Sequence, residues 1–154
     1  MEKQPKLFHQ HLLIRAFVEN PPVKEEILNQ WLTELFEAVK MKMVIAPRSY
    51  YVSDPGNEGL TGSCNISTSH CAIHIWSNEK PARIEMDLYS CSCFHEKTIL
   101  NKLKEWGLLS YHFWMIDRND KNFRLVKCET MTEKKKEDTS GFEANVGPAD
   151  TKAP

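Results

Sequence analysis

Nucleophilic, titratable and aromatic side chains are concentrated in two short segments of the sequence. The first runs from Ser67 to Trp76 and contains Ser, Thr, Cys, His and Trp, and the second runs from Asp87 to Cys93. These residue types can attack a carbonyl, move a proton, hold a metal ion or stack on a flat ligand. The two segments are therefore where chemistry is expected.

Zinc binding is one chemistry that these residue types permit, because Cys and His are its usual ligands. The spacing argues against it. On a β-strand alternate side chains point to opposite faces, so Cys71 and His74 would point apart, and the sequence has no paired C-x-x-C motif. We expect no metal site, and we interpret the five cysteines, an odd number, as free thiols in a reducing compartment.

A plain structural role is the alternative for the histidines of the first segment. On a strand, His70 and His74 share one face with Trp76. The other face carries Cys71, Ile73 and Ile75. Two histidines beside a tryptophan are an unfavourable way to build a core, since buried polar groups need partners. The pattern favours a functional face.

A sheet must position these segments, because the apolar residues recur mainly with a period of two. The predicted strands are Phe8–Val18, Lys42–Val52, Leu60–Ser67, His70–Trp76, Ala82–Ser90, Leu109–Ile116 and Phe123–Lys127. One predicted helix carries an apolar stripe from Ile27 to Val39 with Asn20 as its cap, and a second ends at Gly107.

The resulting order, β-α-β-β-β-β-α-β-β, predicts an α+β fold. We expect a two-layer α/β sandwich, with a mainly antiparallel sheet and the helices on one face. The other sheet face needs a cover, and no third layer is left in the chain. A partner subunit is the expected cover.

The 154 residues suffice for one domain, which we place at residues 6–128. Residues 129–154 are rich in charge and poor in apolar residues, which predicts a disordered C-terminal tail. The net charge of −1 argues against a nucleic-acid partner, and no apolar run approaches the ~20 residues of a membrane span. Without a secretory signal, we expect a cytoplasmic protein.

The motif Ser69-His70-x-x-Ile73-His74-x-Trp76, followed by Asp87-x-Tyr89-Ser90-Cys91, resembles the signature of the small prokaryotic S-adenosylmethionine decarboxylases. That family has Glu-Ser-His-x-x-Ile-His-Thr-Trp-Pro-Glu and, later, Asp-x-Phe-Thr-Cys. Upstream, Gly59-Leu60-Thr61-Gly62 is similar to its Gly-Val-Ser-Gly. The resemblance covers about residues 8–117 and implies an S-adenosylmethionine decarboxylase-like fold.

The chain departs from the family pattern mainly where substrate would bind. Thr68 stands in place of the Glu before the serine, and Trp76-Ser77-Asn78 in place of Trp-Pro-Glu, with Glu79 one place further on. The interval between Trp76 and Asp87 is two residues longer than in the family pattern. The self-processing and proton-transfer residues match, whereas the substrate-binding residues match only in part.

The resemblance implies that the chain makes its own cofactor, a covalent pyruvoyl group derived from Ser69. Ser69 would attack the carbonyl of Thr68, His74 would take the α-proton, and Thr61 would assist by hydrogen bonding. Cleavage between Thr68 and Ser69 would leave chains of 68 and 86 residues. The pyruvoyl carbonyl forms a Schiff base with the substrate and acts as an electron sink, and Cys91 would then return a proton to the substrate.

The same resemblance implies a substrate and an assembly. Trp76 would stack on the adenine of S-adenosylmethionine, and Asn78 or Glu79 would hold its ribose. The implied function is decarboxylation in spermidine synthesis by a cytosolic homodimer. Two alternatives stay open: an arginine or ornithine decarboxylase with the same cofactor, which the changes at Ser77 and Asn78 would fit, and an unprocessed, non-catalytic nucleoside-binding homologue, which Thr68 would fit.

Overall fold

A computed structural model describes residues 8–119 and 121–132 as one antiparallel sheet with two helices. In chain order the elements are β1 (Gln10–Val18), α1 (Glu25–Ala38), β2 (Met43–Val52), β3 (Gly59–Ile66), β4 (Ser69–Trp76), β5 (Ala82–Ser90), α2 (Glu96–Leu103), β6 (Leu108–Asp117) and β7 (Arg124–Met131). The seven strands lie in the order β2-β3-β4-β5-β1-β6-β7. The predicted α+β sandwich is confirmed.

The apolar core lies between the helices and one face of the sheet. Helix α1 buries the stripe predicted from its sequence, namely Leu28, Trp31, Leu32, Leu35 and Phe36. Every second residue of the central strand β5, from Ala82 to Ser90, is buried against this layer. Burial of these side chains supplies most of the driving force for folding.

The ends of the helices agree with the predictions in part. Helix α1 begins at Glu25 with Lys24 as its N-cap, so the predicted Asn20 cap is wrong. The backbone N–H of Asn20 instead donates to the carbonyl of Trp106 at 2.9 Å. Helix α2 continues as a short 3-10 turn that ends, as predicted, at Gly107 in the left-handed conformation (φ 70°).

The second face of the sheet, called the open face here, carries no helix within the residues described. Its central row crosses five adjacent strands through the paired residues Thr61, His74, Glu85, Arg15 and His112. This row is polar, but Trp114 of β6 is also on this face and is 48% exposed. The expectation that the chain leaves one sheet face uncovered holds for its described part.

The last strand differs from its prediction. Strand β7 runs to Met131, beyond the boundary at residue 128 that we set for the domain. The predicted tail from residue 133 onward lies outside the described residues. None of the helices in the described part is long and apolar enough to cross a membrane.

Candidate active site

The hairpin between β3 and β4 presents the serine and the peptide bond that the sequence singled out. Ser67 and Thr68 form the turn, and Ser69 is the first residue of β4. The Ser69 side chain lies on the helix side of the sheet, where the residue is only 9% exposed. Its Oγ accepts a hydrogen bond from the backbone N–H of Cys91 at 3.0 Å.

Cys91 follows β5 directly and brings its thiol to the same place. The Ser69 hydroxyl donates to Cys91 Sγ at 3.6 Å, and the Thr68 hydroxyl also contacts this sulfur. Hydrogen bonds from Thr68 and Ser69 hold the pKa of the Cys91 thiol below its ordinary value, because they stabilise the thiolate. The structure therefore brings Thr68, Ser69 and Cys91 together, and we call these three residues the scission cluster.

The other thiols have different surroundings. All five cysteines are free, but Cys64 and Cys71 are buried, and burial raises the pKa of Cys64 to about 11 and that of Cys71 well above its ordinary value. Cys93 and Cys128 are exposed. A thiol that is both partly accessible and stabilised as a thiolate is the kind that takes part in proton transfer. Among the five cysteines, Cys91 has that environment.

Thr61 and His74 form a second group on the open face. They are directly paired residues of β3 and β4, and Thr61 Oγ1 lies 3.1 Å from His74 Nδ1. This bond orients the imidazole ring. His74 is exposed, so its other ring nitrogen is accessible from the open face.

The strand keeps this pair away from the scission cluster of the same chain. Ser69 and His74 are five residues apart on β4, which at about 3.3 Å per residue corresponds to a separation of about 16 Å. An odd number of residues also places the two side chains on opposite faces. The structure thus divides the predicted catalytic residues into two groups within one chain.

Trp76 lies beside His74 on the open face, with the two ring centroids 6.1 Å apart. Its Nε1 donates to Asn57 Oδ1 at 2.6 Å, and the guanidinium of Arg83 covers its ring at 4.2 Å from the centroid. A cavity of about 70 Å³ lies between Trp76, His74 and Thr61. This volume is far below the ~300 Å³ at which ligand pockets usually begin, so this cavity alone does not enclose a nucleoside.

The two polar residues proposed to bind ribose already have partners at the rim of Trp76. Asn78 donates to Glu58 Oε2 at 2.7 Å, and Glu79 forms an ion pair of 3.0 Å with Arg83. Sequence reasoning missed Glu58 and Arg83. Arg83 could have been found, because the alternation that turns Trp76 outward also turns every second residue of β5 outward.

Another polar cluster missed by sequence reasoning lies at the Ser69 end of the open face. Asp87 accepts from His11 at 2.9 Å and lies 3.5 Å from His70. Tyr89 packs beside both imidazoles, and the guanidinium of Arg118 covers the Tyr89 ring at 4.3 Å. These contacts account for Asp87 and Tyr89 of the second sequence motif, which had no assigned role.

Comparison with known proteins gives one consistent result. The family model for S-adenosylmethionine decarboxylase matches residues 11–117. The S-adenosylmethionine decarboxylase proenzymes of Clostridium botulinum strains Langeland and Hall are each 34% identical to this chain over 98 residues. The matched region is 62% of this chain and 79% of each relative. Residues 11–117, which the family model matches, contain both groups of predicted catalytic residues.

Proposed function

The chain belongs to the S-adenosylmethionine decarboxylase family, and from this membership we propose that it cuts itself at Ser69 and decarboxylates S-adenosylmethionine for spermidine synthesis. The membership, the fold and the decarboxylase function agree with what the sequence motifs implied. The observation that supports self-processing is the scission cluster, in which a nucleophile, a peptide carbonyl and a thiol of lowered pKa converge.

The first step is an acyl shift at the turn of the hairpin. Ser69 Oγ attacks the carbonyl carbon of Thr68, the peptide C–N bond breaks, and an ester joins Thr68 to the Ser69 oxygen. The backbone N–H of Cys91 orients that oxygen, and the hydroxyl proton points toward Cys91 Sγ. Because the attack uses only the carbonyl of Thr68, the absence of the family's Glu at this position does not prevent it.

The second step breaks the ester. A base removes the α-proton of Ser69, and the Thr68 carboxylate leaves with the electrons of the ester C–O bond. Water then replaces the nitrogen of the new chain end, which departs as ammonia and leaves a pyruvoyl group. His74 has the chemistry for this base, since a neutral imidazole accepts protons near pH 7.

His74 of the same chain lies too far from Ser69 to act, so we place this role in a second subunit. Two sheets that pack face to face lie about 10 Å apart. A homodimer formed through the open faces would therefore bring the partner's His74, oriented by its own Thr61, to the side of β4 opposite the Ser69 hydroxyl. From there it would approach the backbone of Ser69, which carries the α-proton, and not the Ser69 side chain. Each dimer would contain two such composite sites.

The surroundings of Ser69 fit a group formed from it. The residue is nearly buried, and the N–H and thiol of Cys91 lie within hydrogen-bond distance of its side chain, so these groups of Cys91 would hold the cofactor. When formed, the pyruvoyl group supplies an electron sink for the electrons left by departing carbon dioxide. Cys91 then donates the proton that replaces the carboxyl group on the substrate.

Substrate binding is assigned to the rim around Trp76. The indole provides a flat surface for adenine, and Asn78 or Glu79 provides polar groups for the ribose hydroxyls. The cavity beside Trp76 is too small within one chain, which again supports a site completed by the partner subunit. The adenosyl part would then lie between the two open faces beside one subunit's Trp76, with the amino acid end toward Ser69 of the partner subunit.

Intact-mass measurement tests the processing step. The wild-type protein should give two chains of 68 and 86 residues, and Ser69→Ala should stay a single chain. A wild-type protein that remains whole after prolonged incubation would contradict the proposal and favour a non-catalytic nucleoside-binding role. Decarboxylation assays with arginine and ornithine beside S-adenosylmethionine decide between the substrates.

Mixing two inactive variants tests the composite site. His74→Ala and Ser69→Ala chains, each with its own tag, should remain whole when expressed separately. When they are expressed together, the His74→Ala chain should be cut, because its Ser69 meets the intact His74 of a Ser69→Ala partner. His74 is exposed, so alanine there should not disturb folding. A co-expressed His74→Ala chain that stays whole would show that His74 acts within its own subunit. A His74→Ala chain that cuts itself when expressed alone would show that His74 is not the base.

A further inference from the structure

Ser90 is a buried polar residue to which the proposed chemistry gives no role. It is the last residue of β5 and is only 1% exposed. Its Oγ accepts a hydrogen bond from the backbone N–H of Ser92 at 2.9 Å, and its hydroxyl donates to the carbonyl of Ser92 at 2.8 Å. Both bonds span Cys91, so they close a ring that fixes the backbone on either side of the thiol residue.

The same loop is anchored a second time just beyond this ring. The backbone N–H of Phe94 donates to the side-chain oxygen of Gln10 on β1 at 3.0 Å, and the Phe94 ring is buried in the core. Cys91 therefore lies within a hydrogen-bonded ring, and a buried aromatic anchor follows it three residues later. Its own side chain is only half-buried, so the backbone must supply much of its placement.

Cleavage changes the contacts of the Cys91 thiol but does not involve this ring. The two hydroxyls that contact Sγ belong to Thr68 and Ser69, on the two sides of the scissile bond. In the proposed processing, the Ser69 hydroxyl is consumed and Thr68 becomes a free chain end. Ser90 and Ser92 both belong to the downstream chain, and neither takes part in the cut.

We propose that Ser90 is a positioning residue that acts through Cys91 and holds its thiol beside residue 69 both before and after cleavage. This inference rests on the proposed function, because that function is what gives Cys91 its catalytic role. A hydroxyl that bonds to the backbone two residues ahead is a local device that threonine can also form. Threonine should therefore substitute for Ser90, whereas a side chain without a hydroxyl should not.

Alkylation of Cys91 measures its placement without any need for turnover. The background is full-length protein with His74→Ala, which should keep the chain whole and so retain the Thr68 and Ser69 hydroxyls beside Cys91. It also carries Cys93→Ser and Cys128→Ser, so that Cys91 is the one thiol that is not buried. The variants compared are Ser90→Ala, Ser90→Val and Ser90→Thr; valine and threonine have nearly the same shape and differ in the hydroxyl. Ser49→Ala is the control, because it removes a serine hydrogen bond to Asn29 far from Cys91.

The rate of alkylation by iodoacetamide is followed from pH 6 to pH 10. Loss of the ring should free Cys91 from the hydroxyls that stabilise its thiolate. The rate at pH 7 should then fall roughly tenfold in Ser90→Ala and Ser90→Val, which corresponds to about one pKa unit. Ser90→Thr and Ser49→Ala should stay within about twofold of the parent. A folded Ser90→Ala or Ser90→Val protein with an unchanged pH profile would overturn the proposal.

Hydrogen exchange of the wild-type protein gives a readout that does not depend on any variant folding. The amide of Ser92 should be protected equally in the unprocessed Ser69→Ala protein and in the cleaved wild type. Rapid exchange of this amide after cleavage would overturn the role of Ser90 in the mature protein. A wild type that never cleaves would instead contradict the proposed function, while the alkylation result would still decide whether Ser90 positions Cys91.

Discussion

At the scale of single residues, Cys91 contributes to the site through two different atoms. Its backbone N–H orients Ser69 Oγ, whereas its thiol is the proposed proton donor in turnover. Substitution by alanine retains the N–H and removes the thiol. The two contributions can therefore be separated by one change.

Cys91→Ala should still cut itself, at the wild-type rate or more slowly, and yet lose turnover. Loss of a general acid typically lowers the rate by about 10²–10⁴-fold. The measurement is release of carbon dioxide from carboxyl-labelled S-adenosylmethionine, with chain cleavage followed by mass. Cys93→Ala is the control and should change stability by no more than about 1 kcal/mol. Full activity in Cys91→Ala would show that the second sequence motif has been assigned wrongly.

The residue types of the site could be predicted from sequence, but their separation into two groups within one chain was not predicted. The period of two correctly placed His70, His74 and Trp76 on one face. The same period separates Ser69 from His74, although the resemblance assigned both to one reaction. Sequence similarity reports which residues a reaction needs and does not report which subunit supplies them.

At the scale of elements, the hairpin of β3 and β4 determines where every candidate residue lies. The first six strands could be predicted within one or two residues at each end because alternation is strong in the buried strands, whereas β7, which is exposed, ends four residues later than predicted. The predicted cap of α1 was wrong, because the helix begins only at Glu25 and Lys24 still has an extended backbone. Alternation could have placed Arg83 on the same face as Trp76, but its position over the indole ring could not be predicted, because it depends on the register between β4 and β5.

Gly59→Ala should disrupt the Trp76 end of this hairpin. Gly59 pairs with Trp76 and has a φ of 149°, and a Cβ there would lie 1.7 Å from the carbonyl oxygen of Ile75. The strands must separate, which should reduce the free energy of unfolding by roughly 2–4 kcal/mol and change Trp76 fluorescence.

Gly56→Ala is the matched control for this change. Gly56 also has a positive φ, of 82°, but a Cβ added at this position would have nothing within 4 Å. Only the cost of the backbone conformation remains, so the free energy of unfolding should fall by about 1 kcal/mol. Urea denaturation of both variants measures the difference. Equal losses for the two glycines would contradict the close approach of β3 and β4.

The same hairpin should make the protein sensitive to alkaline pH. Cys64 and Cys71 face each other across β3 and β4 and are buried, and burial raises the pKa of Cys64 to about 11. In an unfolded chain these two thiols lose their protons at about pH 8.5. Above that pH the folded state binds more protons than the unfolded state, so stability falls as pH rises, until the folded thiols also ionise.

The free energy of unfolding should fall by up to about 1.4 kcal/mol per pH unit for each buried thiol. Urea denaturation at pH 8 and pH 10 measures it. Cys64→Ala should reduce the loss between the two pH values, whereas Cys128→Ala, which removes an exposed thiol, should leave it unchanged. An identical loss in wild type and Cys64→Ala would show that burial of Cys64 does not couple to folding.

At the scale of the whole molecule, the open face connects assembly with chemistry. The helices cover one side of the sheet, and the other carries both the Thr61–His74 pair and large apolar side chains such as Trp114. An exposed face of this kind is an association surface. If two copies meet there, dimer formation is a condition for self-cleavage, since neither copy has a complete set of groups at its own Ser69.

Trp114→Glu should therefore convert a dimer into a monomer and also prevent cleavage, although it lies on β6, away from the scission cluster. A stable dimer should bury at least ~1,200 Å², and a charge within that area opposes association. Light scattering measures the assembly and intact mass the cleavage. Ile27→Glu is the matched control: Ile27 is 50% exposed, as Trp114 is 48% exposed, but it lies on α1, across the sheet, so this variant should dimerise and cut. A wild-type monomer at micromolar concentration would contradict the dimer, and a monomeric Trp114→Glu protein that cuts normally would show that one chain completes the chemistry alone.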